Sequence, residues 1–229
     1  MSHYTVAVFS RPGQDIDELL APFDENIEVE PYISFTRHEA IEYAKLHFNT
    51  DGKTDDECWQ MTAGDSATDA NGNIMSTYNP KSKWDWYVIG GRFSDKLKLK
   101  NGQVADAARV GDLVFESDAK AYEGALRFWD VVVEHEQQEP GEEYYALYNG
   151  EFYRERYKTR ESYAKCMSSF ATYAVVTPDG EWHAPGDMGW FGVSSETHDA
   201  ALDWYEHYQE RFIDAADPDW ILTIVDCHI

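Results

Sequence analysis

The 229-residue chain has only three cysteines, Cys58, Cys166 and Cys227. Their number is odd and no pair stands in CxxC spacing, which argues against a disulfide framework and predicts free thiols in a reducing compartment. No run approaches the ~18 apolar residues of a membrane-spanning helix. Met1-Ser2-His3-Tyr4 has neither a basic n-region nor an apolar h-region, so no signal peptide is expected and the expected location is cytoplasmic. HExxH, GxGxxG, Walker A and GxSxG patterns are all missing. No cofactor and no metal is therefore expected. Basic residues are scarce: 19 Lys and Arg stand against 43 Asp and Glu, for a formal net charge of −24. That balance disfavours direct binding to nucleic acid or to an anionic membrane. It suits either a basic protein partner or a generally acidic, salt-tolerant proteome.

Apolar residues make up 43% of the chain and aromatics 15%, enough for a core and against disorder. The densest aromatic stretch is Asn79–Phe93, with Trp84-Asp85-Trp86-Tyr87 followed by Val88-Ile89-Gly90-Gly91-Arg92. It reads as a strand running into a tight turn. Strand alternation would put Trp84, Trp86 and Val88 on one face and Asp85, Tyr87 and Ile89 on the other. Gly90-Gly91 permits positive φ, and consecutive amides in such a turn form a concave anion site. Arg92 adds a fork of donors that matches phosphate or carboxylate. Trp84, Trp86 and Tyr87 as stacking faces, with Lys83, Arg92 and the glycine amides on phosphate, would suit a nucleotide-like anion. The same run also reads as a core strand with a surface arginine. Of the 19 basic residues, 12 fall in two windows, 81–109 and 154–165, the first containing this stretch.

The remaining pattern predicts a single α+β domain over 1–229, with a weak subdivision near 137–143. The sheet is expected to be mainly antiparallel with helices on one face. Strands are expected at His3–Ser10, Thr172–Thr177 and Trp220–Asp226, with a return strand from Glu181. Asp15, Thr36, Thr159 and Ser195 are expected helix caps, and Ser117–His135 carries the clearest helical stripe. Asn101-Gly102 predicts a hairpin. Tyr144–Tyr157 fits either a hairpin or a helix. Asn49–Asn73 reads as a long loop, a candidate lid over the aromatic stretch. Strand-then-proline-turn units at 3–13 and 172–180 echo each other, as a split βαβ, ferredoxin-like fold would.

Two further spots bear chemistry. Asp85, between tryptophans, is a candidate acid or base, or else a partner of Lys83 or Arg92. Asp226-Cys227-His228, with His183 and Asp187 nearby if their strands pair, would suit a zinc site or a nucleophile–base pair. Cys227 and His228 point to opposite faces of a strand, however, so they cannot converge on one atom.

Lys83–Phe93, Met188–Gly192 and Val225–Ile229 together resemble a set of phage and prophage proteins with no established activity. The likeness implies a viral or prophage origin, hence a host cytoplasm, and makes the three stretches candidates for one shared site. It transfers no catalytic residue. The expected function is binding of a small anionic, nucleotide-like ligand, for sequestration against host defence or for processing. Trp190 would close the pocket. The alternatives are an acidic mimic that occupies a basic site on a host protein, and a hydrolase or transferase using Asp85 or Asp226 and His228.

Overall fold

β-Branched and aromatic residues fill His3–Ser10, which forms strand β1. The computed structural model describes residues 2–229, with the Trp190 side chain outside the description. Asp15 caps α1 (Ile16–Leu20). Next come β2 (Tyr32–Phe35), α2 (Arg37–His47), α3 (Asp55–Ala63) and β3 (Ile74–Ser76). β4 (Trp86–Ile89), β5 (Leu97–Leu99), β6 (Val104–Ala105), β7 (Ala107–Arg109) and β8 (Leu113–Val114) are short. Three helices follow: α4 (Ala119–Phe128), α5 (Gly150–Tyr157) and α6 (Arg160–Ser168). β9 (Ala174–Val176), β10 (Trp182–His183), α7 (His198–Tyr208) and β11 (Ile221–His228) complete the chain. Contacts group these elements into two compact units, Met1–Pro22 with Lys83–Ile229, and Phe23–Ser82.

The larger unit is built on a sheet of order β10-β9-β1-β11-β4, with β7 also pairing β11. β1 and β11 run antiparallel in unbroken register from His3↔His228 to Ser10↔Ile221. The class is α+β and the pairing mainly antiparallel, as the sequence predicts. The all-antiparallel order of a ferredoxin-like sheet is not formed, although β10 and β11, joined through α7, run parallel with β9 and β1 between them. β1 and β9 are parallel and directly hydrogen-bonded, with no strand between them. Val6, Ala7, Val8 and Phe9 are all at most 1% exposed, so the central strands are buried on both faces rather than one. On one face Ala7, Phe9, Leu222 and Ile224 pack against Trp204, Tyr208 and Ile213. A second core joins Trp129, Val133, Tyr153 and Tyr163 from α4, α5, α6 and the π-helical turn that extends α4. Pairing within β5, β6 and β8 realises the Asn101-Gly102 hairpin.

Three local expectations are corrected. Residues 49–73 are not one loop, because Thr54 and Glu57 form a capping box that starts α3. Residues 150–157 take the helical option, since the Asn149 side chain accepts from the Phe152 N–H. Thr197, not Ser195, caps α7; the Ser195 hydroxyl instead accepts from the Asp187 N–H.

In the smaller unit, both helices start on a capping box, Thr36 with Glu39 and Thr54 with Glu57. Ala40, Ala63 and Ile74 form its centre. Ile224 is fully buried at the heart of the larger unit. Ile224→Ala should cost about 2–5 kcal/mol in urea unfolding. Leu46→Ala, at a position 78% exposed, should stay within about 0.5 kcal/mol.

Candidate functional site

Cross-strand partners share a face of a sheet. The registers therefore put His3 and Thr5 of β1, Asp226 and His228 of β11, and Trp86 and Val88 of β4 on one face. His3 Nδ1 donates to Asp226 Oδ1 at 2.9 Å. His228 Nδ1 donates to Asp85 Oδ1 at 2.6 Å. The two imidazoles stand edge-on, with ring centroids 5.0 Å apart. Trp86 stacks on His228 at 4.9 Å and meets the edge of His3 at 5.3 Å.

A carboxylate only accepts, so each Nδ1 carries a hydrogen toward its aspartate. Neither Nε2 has a hydrogen-bond partner among the described residues. His228 is only 4% exposed and the His3 side chain 15%.

Both carboxylates are held in place. Asp226 is 1% exposed, and its Oδ2 accepts the Arg92 N–H at 3.0 Å. The turn before Arg92 makes that approach possible: Gly90 and Gly91 have φ of 70° and 56°. A Cβ on Gly91 would lie 2.6 Å from Asp226 Oδ2. On the other side, the Asp85 N–H donates to the His228 carbonyl at 3.0 Å. The Tyr4 hydroxyl donates to the Lys83 carbonyl at 2.5 Å, fixing the backbone just ahead of Asp85.

The structure redistributes the residues named from sequence. Trp86 is 44% exposed and keeps a ring available. Arg92 is exposed and has no ion pair among the described residues. Asp85 binds His228 rather than Lys83 or Arg92, and Lys83 pairs instead with Asp187 at 2.5 Å. Trp84 is 6% exposed and sits edge-on to Tyr87, so it offers no stacking face. Regular pairing begins only at Trp86, which is why strict alternation fails at residues 84 and 85. Tyr87 points to the opposite face, and its hydroxyl donates to Asp17. In the Gly90-Gly91 turn the Arg92 N–H and Gly91 lie against the Asp226 carboxylate, and Gly90 lies against Asp106. His183 lies on β10, with β9 and β1 between it and β11. The Trp190 side chain lies outside the described residues.

The histidine that sequence reasoning passed over is His3. The Asp226-x-His228 spacing already placed those two side chains on one face, and pairing of the first strand with the last would have added His3. Of the three resemblance stretches, β4 lies beside β11, and the 188–192 loop is linked to the end of β11 only through Ser2, which bonds Gly189 O and Gly192 N and pairs by its backbone with Ile229. Among the described residues, no group of three or more His, Cys, Asp or Glu side chains is placed to hold a metal ion.

Comparison of the chain with protein-family models, with curated proteins and with solved structures finds no match.

Cys227 lies between Asp226 and His228 but points to the opposite face and is fully buried. Burial, reinforced by the Asp226 charge, pushes its thiol well above the usual range. Burial with the nearby Glu206 charge pushes the Cys166 thiol up to about 12. All three thiols are buried, so the folded protein at pH 8 should leave them unlabelled by Ellman's reagent, with full labelling in guanidinium. Gly91→Ala should cost about 1–2 kcal/mol from the backbone alone. It should also displace Asp226, which the loss of the low-field His3 Nδ1–H proton signal would register.

Proposed function

We propose that the His3–His228 pair is the active centre of a hydrolase or transferase that acts on a small, anionic, nucleotide-like molecule. The observation that carries this reading is the paired arrangement itself. Two imidazoles 5.0 Å apart are each oriented at Nδ1 by a separate aspartate. A carboxylate on Nδ1 fixes the ring and stabilises the imidazolium that forms when Nε2 accepts a proton. One ring then serves as base toward the attacking nucleophile and the other as acid toward the leaving group. Trp86 supplies a face for a flat ring, and Arg92 a guanidinium with no ion pair among the described residues. A phage-type origin, expected from the three sequence stretches, would put the substrate in an infected host cell.

A second reading has its own support. Most of the basic residues in the two charge windows are engaged internally: Arg109 with Asp219, Arg154 with Glu134, Lys158 with Asp199 and Arg160 with Asp130. The free surface charge is therefore acidic, which suits a basic protein partner. Binding to such a partner would weaken steeply with salt and tolerate Trp86→Ala.

The test of the first reading is turnover. Cyclic nucleotides, nucleoside phosphodiesters and phosphomonoesters would be incubated with the protein and followed by 31P NMR. A substrate should be consumed with a bell-shaped pH dependence. His3→Gln and His228→Gln should each lower kcat by roughly 10²–10⁴-fold, with the far-UV spectrum retained. No turnover across the panel, or full activity in His228→Gln, would sink the assignment.

A further inference from the structure

A cleft of about 610 Å³ opens between α5, α6 and the segment 191–194. That volume lies in the range of small-molecule sites. Its walls are rings. Tyr148 and Phe152 stack at 4.0 Å, and Tyr153, Tyr157 and Tyr163 continue the lining. Phe191 stands at the lip, 82% exposed, with φ 61° and ψ 25°. A bulky residue in the left-handed region is an outlier. Here the backbone strain holds an apolar ring out at the opening. Strain of that kind clusters at ligand-binding segments.

The cleft also has a polar wall. The Arg156 guanidinium is ion-paired with Glu196, and the two side chains are only 17% and 12% exposed. Arg156 also lies 5.7 Å from the Tyr157 ring centre. The second Glu196 oxygen accepts from the Ser194 hydroxyl at 2.8 Å, and that hydroxyl is bonded to Tyr173 at 2.7 Å. The wall is therefore rigid, and it is neutral overall. A charged ligand would lose hydration there without gaining a counter-ion. An uncharged flat ring would lose little and gain stacking.

A ring with a donor and an acceptor on one edge can use both halves of the Arg–Glu pair. An indole, with a single N–H donor and no acceptor, can use only one. We propose that this cleft binds an uncharged nucleobase, presented as a nucleoside. The assignment does not depend on the His3–His228 reading, since the two sites share no residue.

The test is calorimetry and saturation-transfer NMR with adenosine, guanosine, cytidine and uridine, and with N-acetyl-tryptophanamide as the competing ring. At least one nucleoside should bind at one site per chain and outcompete the indole. Phe191→Ala and Tyr148→Ala change exposed side chains and should leave the thermal midpoint unchanged. Each should weaken the nucleoside roughly tenfold or more, while His228→Gln should bind it as the unmodified protein does. No nucleoside binding up to millimolar concentration would overturn the proposal. So would tighter binding of N-acetyl-tryptophanamide, or an affinity untouched by both ring substitutions.

Discussion

The antiparallel pairing of β1 with β11 is the constraint on which the larger unit depends. It joins residues more than 200 positions apart in sequence, from His3↔His228 to Ser10↔Ile221. β9 adds to the free edge of β1, and β4 and β7 add to β11. Along the register, the pairs Ala7↔Ile224 and Phe9↔Leu222 lie in the core under α7, and Thr5↔Asp226 and His3↔His228 continue the same face. Because side chains alternate with a period of two, a slip of one residue would send every one of them to the other face. The apolar half of the strand pair thus fixes the register that the polar half needs. Stability and the placement of the two histidines are one requirement.

Asp226 shows how tightly the two are joined. A carboxylate at 1% exposure is costly unless its oxygens are engaged. Here one oxygen takes the His3 ring N–H and the other the Arg92 amide. The amide reaches it because Gly91, with positive φ, lies directly against the carboxylate, while Gly90, also with positive φ, lies against Asp106. The second aspartate, Asp85, is placed differently. It precedes the regular part of β4 and is held by a backbone bond to the partner of its own side chain, His228. One histidine is therefore oriented from within the sheet and the other from its border. Their shared neighbour, Trp86, contacts both rings and limits how far either can rotate.

Much of this was legible in the residues. The β-branched run at 3–10 and the stripe Tyr122, Leu126, Trp129, Val133 became β1 and the α4 core. The positive φ of Gly90 and Gly91 was likewise written in their lack of a side chain. What escaped was non-local. Nothing near His3 in sequence says that His228 lies opposite, and nothing near Asp85 says that the chain bends there so that its carboxylate meets β11. Local chemistry suggested Lys83 or Arg92 as its partner. Lys83 is drawn instead to Asp187, 104 residues away. The α3 helix was missed for the opposite reason: the signal was local, Thr54-x-x-Glu57, but sat within a polar, glycine-containing stretch whose composition outweighed it.

The glycine turn changes meaning once its occupant is known. From sequence, the Gly90-Gly91 amides and Arg92 formed one anion site, backbone and side chain acting together on a phosphate. In the fold the two part company. The Arg92 amide is engaged by Asp226, while the Arg92 side chain remains exposed and unpaired among the described residues. The amide thus fixes the carboxylate that orients His3. Only the guanidinium is left to meet a negative charge from outside. An internal carboxylate in the amide nest and an external anion on the guanidinium are compatible, because Asp226 is paired with His3 and presents no free oxygen toward solvent. The same short turn therefore holds the carboxylate that orients His3 and presents an exposed guanidinium at its exit.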